Sequence, residues 1–162
     1  MKKTALFITQ AAMIAALYVV LTVFINAFNL ASGAIQVRIS EALTILPYFT
    51  PAAIPGLFIG CLISNFVTGC LPWDIVFGSL ATLIGAVGTY LLRKYKFLAP
   101  VPPILSNMII IPFVLMYVYK LEDAYSFLVL TVGAGEIISC GILGMLLLFL
   151  LNRYRGVLFK QN

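Results

Sequence analysis

The sequence has no histidine and few charged residues, and both shortages limit what the chain can do. Histidine is the commonest general base and metal ligand, and it is absent. The three cysteines lack the paired spacing that is typical of zinc and iron–sulfur sites. No GxxxxGKS or GxxxxGKT motif occurs, so the chain is not expected to hydrolyse ATP by itself. We therefore expect no metal site and no cofactor.

Charge is too scarce for a water-soluble fold. Lysine and arginine contribute 10 residues, aspartate and glutamate 5, while 63% of the 162 residues are hydrophobic. The mean hydropathy of +1.13 lies well above that of soluble domains. In a bilayer only helices or a closed barrel satisfy every backbone polar group, and the long apolar runs here do not alternate. The composition predicts an all-α integral membrane protein that contacts lipid and binds no nucleic acid.

Loops and prolines divide the chain into a bundle of six predicted transmembrane helices. Their approximate bounds are 4–28, 37–49, 51–69, 73–92, 101–119 and 125–151. The stretch around Pro47, Pro51 and Pro55 allows one broken span or two passes, and the charges of the loops favour two. Both termini are then cytoplasmic, and only Arg38 and Lys120 among the basic residues lie outside. The second span is short, because its helical residues cover only ~20 Å of a ~30 Å hydrocarbon core. Residues 1–162 form a single transmembrane domain.

Polar side chains gather in the outer half of this arrangement or near the middle of the bilayer. Counted from Tyr125, Glu136 lies roughly 16 Å below the outer boundary. A carboxylate at that depth costs on the order of 3 kcal/mol unless it faces a cavity or a partner. The candidate solute-binding residues are Glu136, Glu41, Asp74, Trp73, Asn65 and Arg38. They predict an outward-facing pocket, covered by the 29–36 loop, for a small planar solute that is rich in donors or cationic.

The charged candidates also have purely structural interpretations, which the sequence leaves open. Glu136 fits a protonated or paired glutamate that is bonded to a neighbouring helix. Arg38 and Glu41 are three residues apart, which suits a simple salt bridge. Asp74 follows a proline at a helix start, where an N-cap aspartate is common.

The uncharged candidates have such interpretations too. Trp73 fits the aromatic belt at the membrane interface, as do Tyr117, Tyr119 and Tyr125. An amide on a span fits a bond between helices. Of Asn65 and Asn107, Asn65 is the better site candidate on depth, because it lies about one turn from the outer end of its span while Asn107 lies in the inner half of its own.

Two stretches carry a family resemblance. The run from Arg38 to Gly60, RISEALTILPYFTPAAIPGLFIG, and the run from Trp73 to Ala81, WDIVFGSLA, strongly resemble the QueT family. Members of that family look like substrate-binding S components of energy-coupling factor transporters for queuosine precursors. The resemblance implies solute capture at the outer face of a bacterial plasma membrane, with ATP hydrolysed by two ATPase subunits that join through a coupling transmembrane subunit. It also implies that Ala12 and Ala16, which match an AxxxA pattern, dock on that coupling subunit.

Three other functions are compatible with the sequence. The chain fits an S component for another vitamin-like solute, since pocket composition does not identify the ligand. It also fits a small intramembrane enzyme with Glu136 and Asp74 as an acid–base pair, although no GxSxG motif or metal cluster supports that function. A helical scaffold without a ligand is the third. By the resemblance, the expected ligand is a 7-deazaguanine.

Overall fold

The structure is a computed structural model that describes residues 2–27 and 38–158, and throughout these ranges the regular elements are helical. The predicted 29–36 loop lies outside the described residues. The α-helices are α1 (Lys2–Ala27), α2 (Ala53–Val67), α3 (Pro72–Leu91), α4 (Val101–Tyr117), α5 (Tyr125–Glu136), α6 (Gly144–Arg153) and α7 (Arg155–Leu158). A 3₁₀ helix spans Ile39–Tyr48, and a short one spans Lys96–Leu98. A π-helical segment, Ile137–Leu143, joins α5 to α6 without a break.

Four helical stretches are long and apolar enough to cross a membrane. They are Lys3–Ala27, Pro72–Leu91, Lys96–Tyr117 and Tyr125–Arg153. The helix Ala53–Val67 is apolar but shorter. Within the described residues, these stretches confirm the prediction of an all-helical structure with helices long and apolar enough to span a membrane. The count of six spans and the cytoplasmic position of both termini stay predictions.

The outer surface of the described helices is largely apolar. Large apolar side chains such as Phe66, Leu91 and Leu130 are about seven-tenths exposed. Small and polar residues instead fill much of the interior, including Ser64, Thr82 and Thr89. A water-soluble fold places these two groups the other way round.

Within the predicted second span, 37–49, the residues Ile39–Tyr48 form a 3₁₀ helix that packs among other helices. Its residues from Ser40 to Pro47 are all buried, and it contacts α1, α2, α3, α6 and the π segment. At ~2 Å per residue, a 3₁₀ helix of this length covers only about 20 Å. The 3₁₀ helix therefore lies inside the bundle and places the side chain of Glu41 in its interior.

Close backbone contact fixes α1 against α2. A Cβ atom added to Gly56 would lie 2.7 Å from the carbonyl oxygen of Ala11, and one added to Gly60 would lie 3.1 Å from the Cα of Ala15. Small residues on both helices thus allow the two backbones to approach, as their four-residue spacing predicts. The approach also places Tyr18 of α1 in the core beside Leu57 of α2.

Candidate functional site

A cavity of about 400 Å³ opens between α1, α2, α3 and α4. Its charged lining residues are Arg38 and Asp74, and Asn65 contributes an amide. Apolar side chains complete the walls, among them Ile25 and Ile111. The structure thus brings three of the six predicted solute-binding residues to one cavity.

Asp74 lies in the first turn of α3, and its carboxylate faces the cavity. The helix begins at Pro72 after Leu71, whose side chain makes no capping hydrogen bond. Asp74 is therefore inside the helix, and the N-cap interpretation is wrong. Its side chain is only 4% exposed, and its Oδ2 atom accepts a hydrogen bond of 2.7 Å from the hydroxyl of Tyr119.

Tyr119 follows the end of α4 and reaches back over the cavity to α3. Sequence reasoning assigned it to the interfacial aromatic belt, but it lines the cavity beside Asp74. Partial burial and the hydrogen bond to Asp74 both raise the pKa of Tyr119. The phenol therefore stays protonated at neutral pH and acts as a donor.

Asn65 and Arg38 approach the cavity from two different elements. Asn65, on the last turns of α2, is 4% exposed, and its Nδ2 atom lies 3.6 Å from the sulfur of Cys61. Arg38 immediately precedes the 3₁₀ helix, and its carbonyl oxygen accepts a 2.9 Å hydrogen bond from the backbone N–H of Glu41. Two amides, Asn65 and Asn26 of α1, and a guanidinium thus share the cavity with a single carboxylate among the described lining residues.

Glu41, Glu136 and Cys140 form a second polar group, the acidic cluster. One ligating atom of each residue lies within 4.8 Å of the others, and all three side chains are buried. Glu41 Oε1 accepts a hydrogen bond from the hydroxyl of Tyr18. Glu136 Oε1 accepts one of 2.9 Å from Nδ2 of Asn107, and its Oε2 accepts one of 3.1 Å from the thiol of Cys140.

The surroundings of Glu136 agree with one of its two sequence interpretations. The carboxylate is bonded to Asn107 on the neighbouring α4, as a structural glutamate would be. A hydrogen-bonded carboxylate can still bind a solute, so the predicted binding role of Glu136 is not decided by this contact. Sequence reasoning ranked Asn107 below Asn65 and gave the cysteines no site role, yet Asn107 and Cys140 both contact Glu136.

Tyr18 connects the cavity with the acidic cluster. It lines the cavity, and its hydroxyl donates to Glu41 in the acidic cluster. Glu41 and Glu136 are not among the described residues that line the cavity. Trp73 is outside it as well, with 63% of its surface exposed and its ring stacked on Phe77 at 6.0 Å. The solute-binding roles of these three residues stay predictions.

Comparison with known proteins places the chain in a family. The sequence profile described as QueT transporter matches residues 8–153. The chain belongs to the QueT transporter family. A curated relative from Lactococcus lactis subsp. cremoris (strain MG1363), described as queuosine precursor transporter QueT, is 37% identical over 99 residues. This match covers 59% of the chain and 57% of the relative, so the chain spans little more than half of that protein. No solved structure matches the chain significantly.

Family membership confirms the resemblance that was drawn from two stretches of sequence. The first stretch, from Arg38 to Gly60, forms the 3₁₀ helix and the first half of α2. The second, from Trp73 to Ala81, forms the first half of α3. Both stretches therefore carry residues of the cavity or of the acidic cluster.

The two predicted docking residues lie on the outside of α1. Ala12 and Ala16 are exposed, whereas Ala11 is half-buried and Ala15 is buried on the side of α2. The face that carries Ala12 and Ala16 is thus not used for packing inside the described fold. Docking of a partner on this face stays a prediction.

Proposed function

We propose that the chain captures a queuosine precursor of the 7-deazaguanine type at the outer face of a bacterial plasma membrane. Membership of the QueT transporter family is the observation that carries this proposal. The name of the Lactococcus lactis relative supplies the solute class. The cavity supports it, since about 400 Å³ falls within the usual range for small-molecule sites.

The cavity offers complementary groups for such a solute. A guanine-like edge presents an N–H and an exocyclic amine side by side, and the Asp74 carboxylate can accept hydrogen bonds from both. Arg38 and Asn65 can donate to the ring carbonyl. An aminomethyl group on the solute would add a positive charge, which the Asp74 carboxylate would attract. The rings of Tyr18 and Tyr119 offer apolar surface to the heterocycle.

Asp74 is the first choice as the principal acceptor, although depth alone favoured Glu136. Asp74 lines the cavity, whereas Glu41 and Glu136 are not among its described lining residues, and Glu41 is bonded to the lining residue Tyr18. A solute that binds Oε1 of Glu41 would compete with the Tyr18 hydroxyl for that oxygen. We therefore propose Arg38, Asn65 and Asp74 as solute contacts, and Glu41, Glu136 and Trp73 remain sequence predictions.

Uptake requires partners that hydrolyse ATP. In this proposal the chain has six spans with both termini in the cytoplasm, and a coupling transmembrane subunit with two ATPase subunits supplies the energy. The exposed Ala12 and Ala16 on α1 form the docking face for the coupling subunit. Their small side chains allow a partner helix to approach closely.

The geometry argues against the intramembrane enzyme. Asp74 is bonded to Tyr119, whereas Glu136 is bonded to Asn107 and Cys140 in the acidic cluster. Asp74 lines the cavity, whereas Glu136 lies in the acidic cluster. An acid–base pair must reach the same substrate, and these two carboxylates are not placed to do so. An S component for another vitamin-like solute differs only in the ligand, and binding measurements decide between the two.

Calorimetry on the purified protein tests the proposal with an aminomethyl-substituted 7-deazaguanine. We expect binding by the unmodified protein and a loss of roughly 2–4 kcal/mol, about 30-fold to 1,000-fold, for Asp74→Asn. Glu122→Gln, which changes an exposed carboxylate, is the control and should bind normally. Absence of binding by the unmodified protein would overturn the proposed solute. A loss confined to Glu136→Gln would move the solute to the acidic cluster.

A further inference from the structure

The acidic cluster has the geometry of a metal-binding site. Glu136 and Cys140 are four residues apart on one continuous helix, so they share a face. Glu41 approaches that face from the 3₁₀ helix. Two ligands at this spacing on a helix and a third from another element are the usual protein contribution to an open zinc site.

One oxygen of the cluster has no partner. Among the described residues, no donor reaches Oε2 of Glu41, and the side chain is 1% exposed. An unbonded carboxylate oxygen inside a protein is costly unless a proton or a cation satisfies it. Glu136 and Cys140 lie beside Glu41, since one ligating atom of each of these three residues lies within 4.8 Å of the others.

We propose that Glu41, Glu136 and Cys140 bind a divalent transition-metal ion of the zinc class. The three ligating atoms are no more than 4.8 Å apart, so an ion at their common centre would lie within about 2.8 Å of each. Small side-chain movements would shorten these distances to the ~2.0–2.3 Å of zinc bonds. A thiolate together with two carboxylates disfavours magnesium and calcium, which prefer oxygen ligands alone. On binding, the ion replaces the thiol proton of Cys140, which is released to solvent.

Neighbouring groups already orient the ligands. Asn107 holds Oε1 of Glu136 and Tyr18 holds Oε1 of Glu41, which leaves the Oε2 atom of each carboxylate for the ion. The hydroxyl of Thr44 lies 3.3 Å from the sulfur of Cys140. Outer partners of this kind are a regular feature of protein metal sites.

The site goes beyond the proposed function and departs from the sequence expectation of no metal. That expectation came from cysteine spacing and the lack of histidine, and neither reveals a cysteine combined with carboxylates from two elements. Tyr18 lines the cavity and donates to Glu41, whereas Glu41, Glu136 and Cys140 are not among the described residues that line it. The ion and the solute therefore occupy different places.

Cobalt(II) is the probe for this site, because a thiolate ligand produces a ligand-to-metal charge-transfer band. The unmodified protein, purified without a polyhistidine tag, is titrated with Co²⁺ and then with Zn²⁺ as competitor, in the absence of solute. We expect one Co²⁺ per chain, a charge-transfer band, and loss of that band when Zn²⁺ is added. Since no solute is used, the outcome is independent of the proposed transport function.

Variants assign the band to the cluster. Cys140→Ser should abolish it, and Glu136→Gln should weaken metal binding by more than about 100-fold, beyond the usual effect of changing an outer partner. Cys61→Ser is the matched control: Cys61 is equally buried but lies outside the cluster, where its sulfur accepts a hydrogen bond from Thr82. Helical content and monodispersity confirm folding. A folded unmodified protein without the band, or a band that survives in Cys140→Ser, overturns the proposal.

Discussion

A single methyl group at Gly60 tests how tightly α1 is held against α2. A Cβ added there would lie 2.9 Å from the Cβ of Tyr18 and 3.0 Å from the carbonyl oxygen of Ala15. These atoms are part of the backbone or attached directly to it, so they cannot rotate away. Helix α1 must therefore move by about 0.5 Å to restore ordinary contact distances. The same movement draws the hydroxyl of Tyr18 away from Glu41.

The expected cost of Gly60→Ala follows from two opposing effects. Overpacking of a close contact destabilises by about 1–3 kcal/mol, while alanine gains up to about 1 kcal/mol over glycine within a helix. Gly141→Ala is the matched control, because its Cβ would meet Ile137 and Ile104 at 3.7 and 3.8 Å. Both glycines are helical, Gly60 in α2 and Gly141 in the π segment, so both variants lose the backbone freedom of glycine in the unfolded chain. The difference between them isolates the packing cost.

Thermal unfolding in one detergent, followed by circular dichroism, measures this difference. For a chain of this length, the packing cost corresponds to a Tm that is lower by roughly 2–12 °C for Gly60→Ala than for Gly141→Ala. Equal midpoints for the two variants would refute the close α1–α2 contact.

Three further predictions concern docking, topology and the cavity. Ala12→Leu and Ala16→Leu should abolish uptake by cells but leave solute binding intact, and loss of binding would place these alanines in the packing of the fold itself. With Cys70 replaced by serine, a cysteine at Glu122 should react with an impermeant thiol reagent on intact cells, and one at Lys94 should not; labelling at Lys94 would contradict the six-span topology. Tyr119→Phe removes the donor to the buried Asp74 and should destabilise by about 1–3 kcal/mol in the same unfolding assay, whereas Tyr117→Phe, at a 75% exposed position, should not.

Much of the helical layout was predictable because lipid imposes a simple pattern. Long apolar runs gave the predicted spans 73–92 and 101–119, and the structure has helices at Pro72–Leu91 and Val101–Tyr117. The 3₁₀ geometry of Ile39–Tyr48 was not predictable. A short apolar run with an internal proline suits several conformations, and its central position depends on four helices and the π segment packing around it.

The cavity residues Arg38, Asn65 and Asp74 were predicted from their chemistry and their depth in the bilayer. Tyr119, the hydrogen-bond partner of Asp74, was not predicted. Tyr119 has the sequence signature of a belt residue, and only the connection between α4 and α5 aims it at Asp74. Asn107 could have been found from the sequence. Counted from the ends that the 118–124 connection joins, Asn107 and Glu136 lie about 15 and 16 Å along their helices, so antiparallel packing puts them at one level.

The π segment changes the angular phase of the last long helix. Glu136, Cys140, Gly144 and Leu148 follow one another at intervals of four, and all four are buried. In an ideal α-helix, residues twelve positions apart point in directions that differ by about 120°, so Glu136 and Leu148 would lie on different faces. The wider winding of Ile137–Leu143 absorbs part of this drift and keeps the row on the side of the bundle interior. A helical wheel drawn through Glu136 at 3.6 residues per turn therefore assigns the later positions to the wrong face, and removing one residue from the π segment should rotate α6 out of phase with the core.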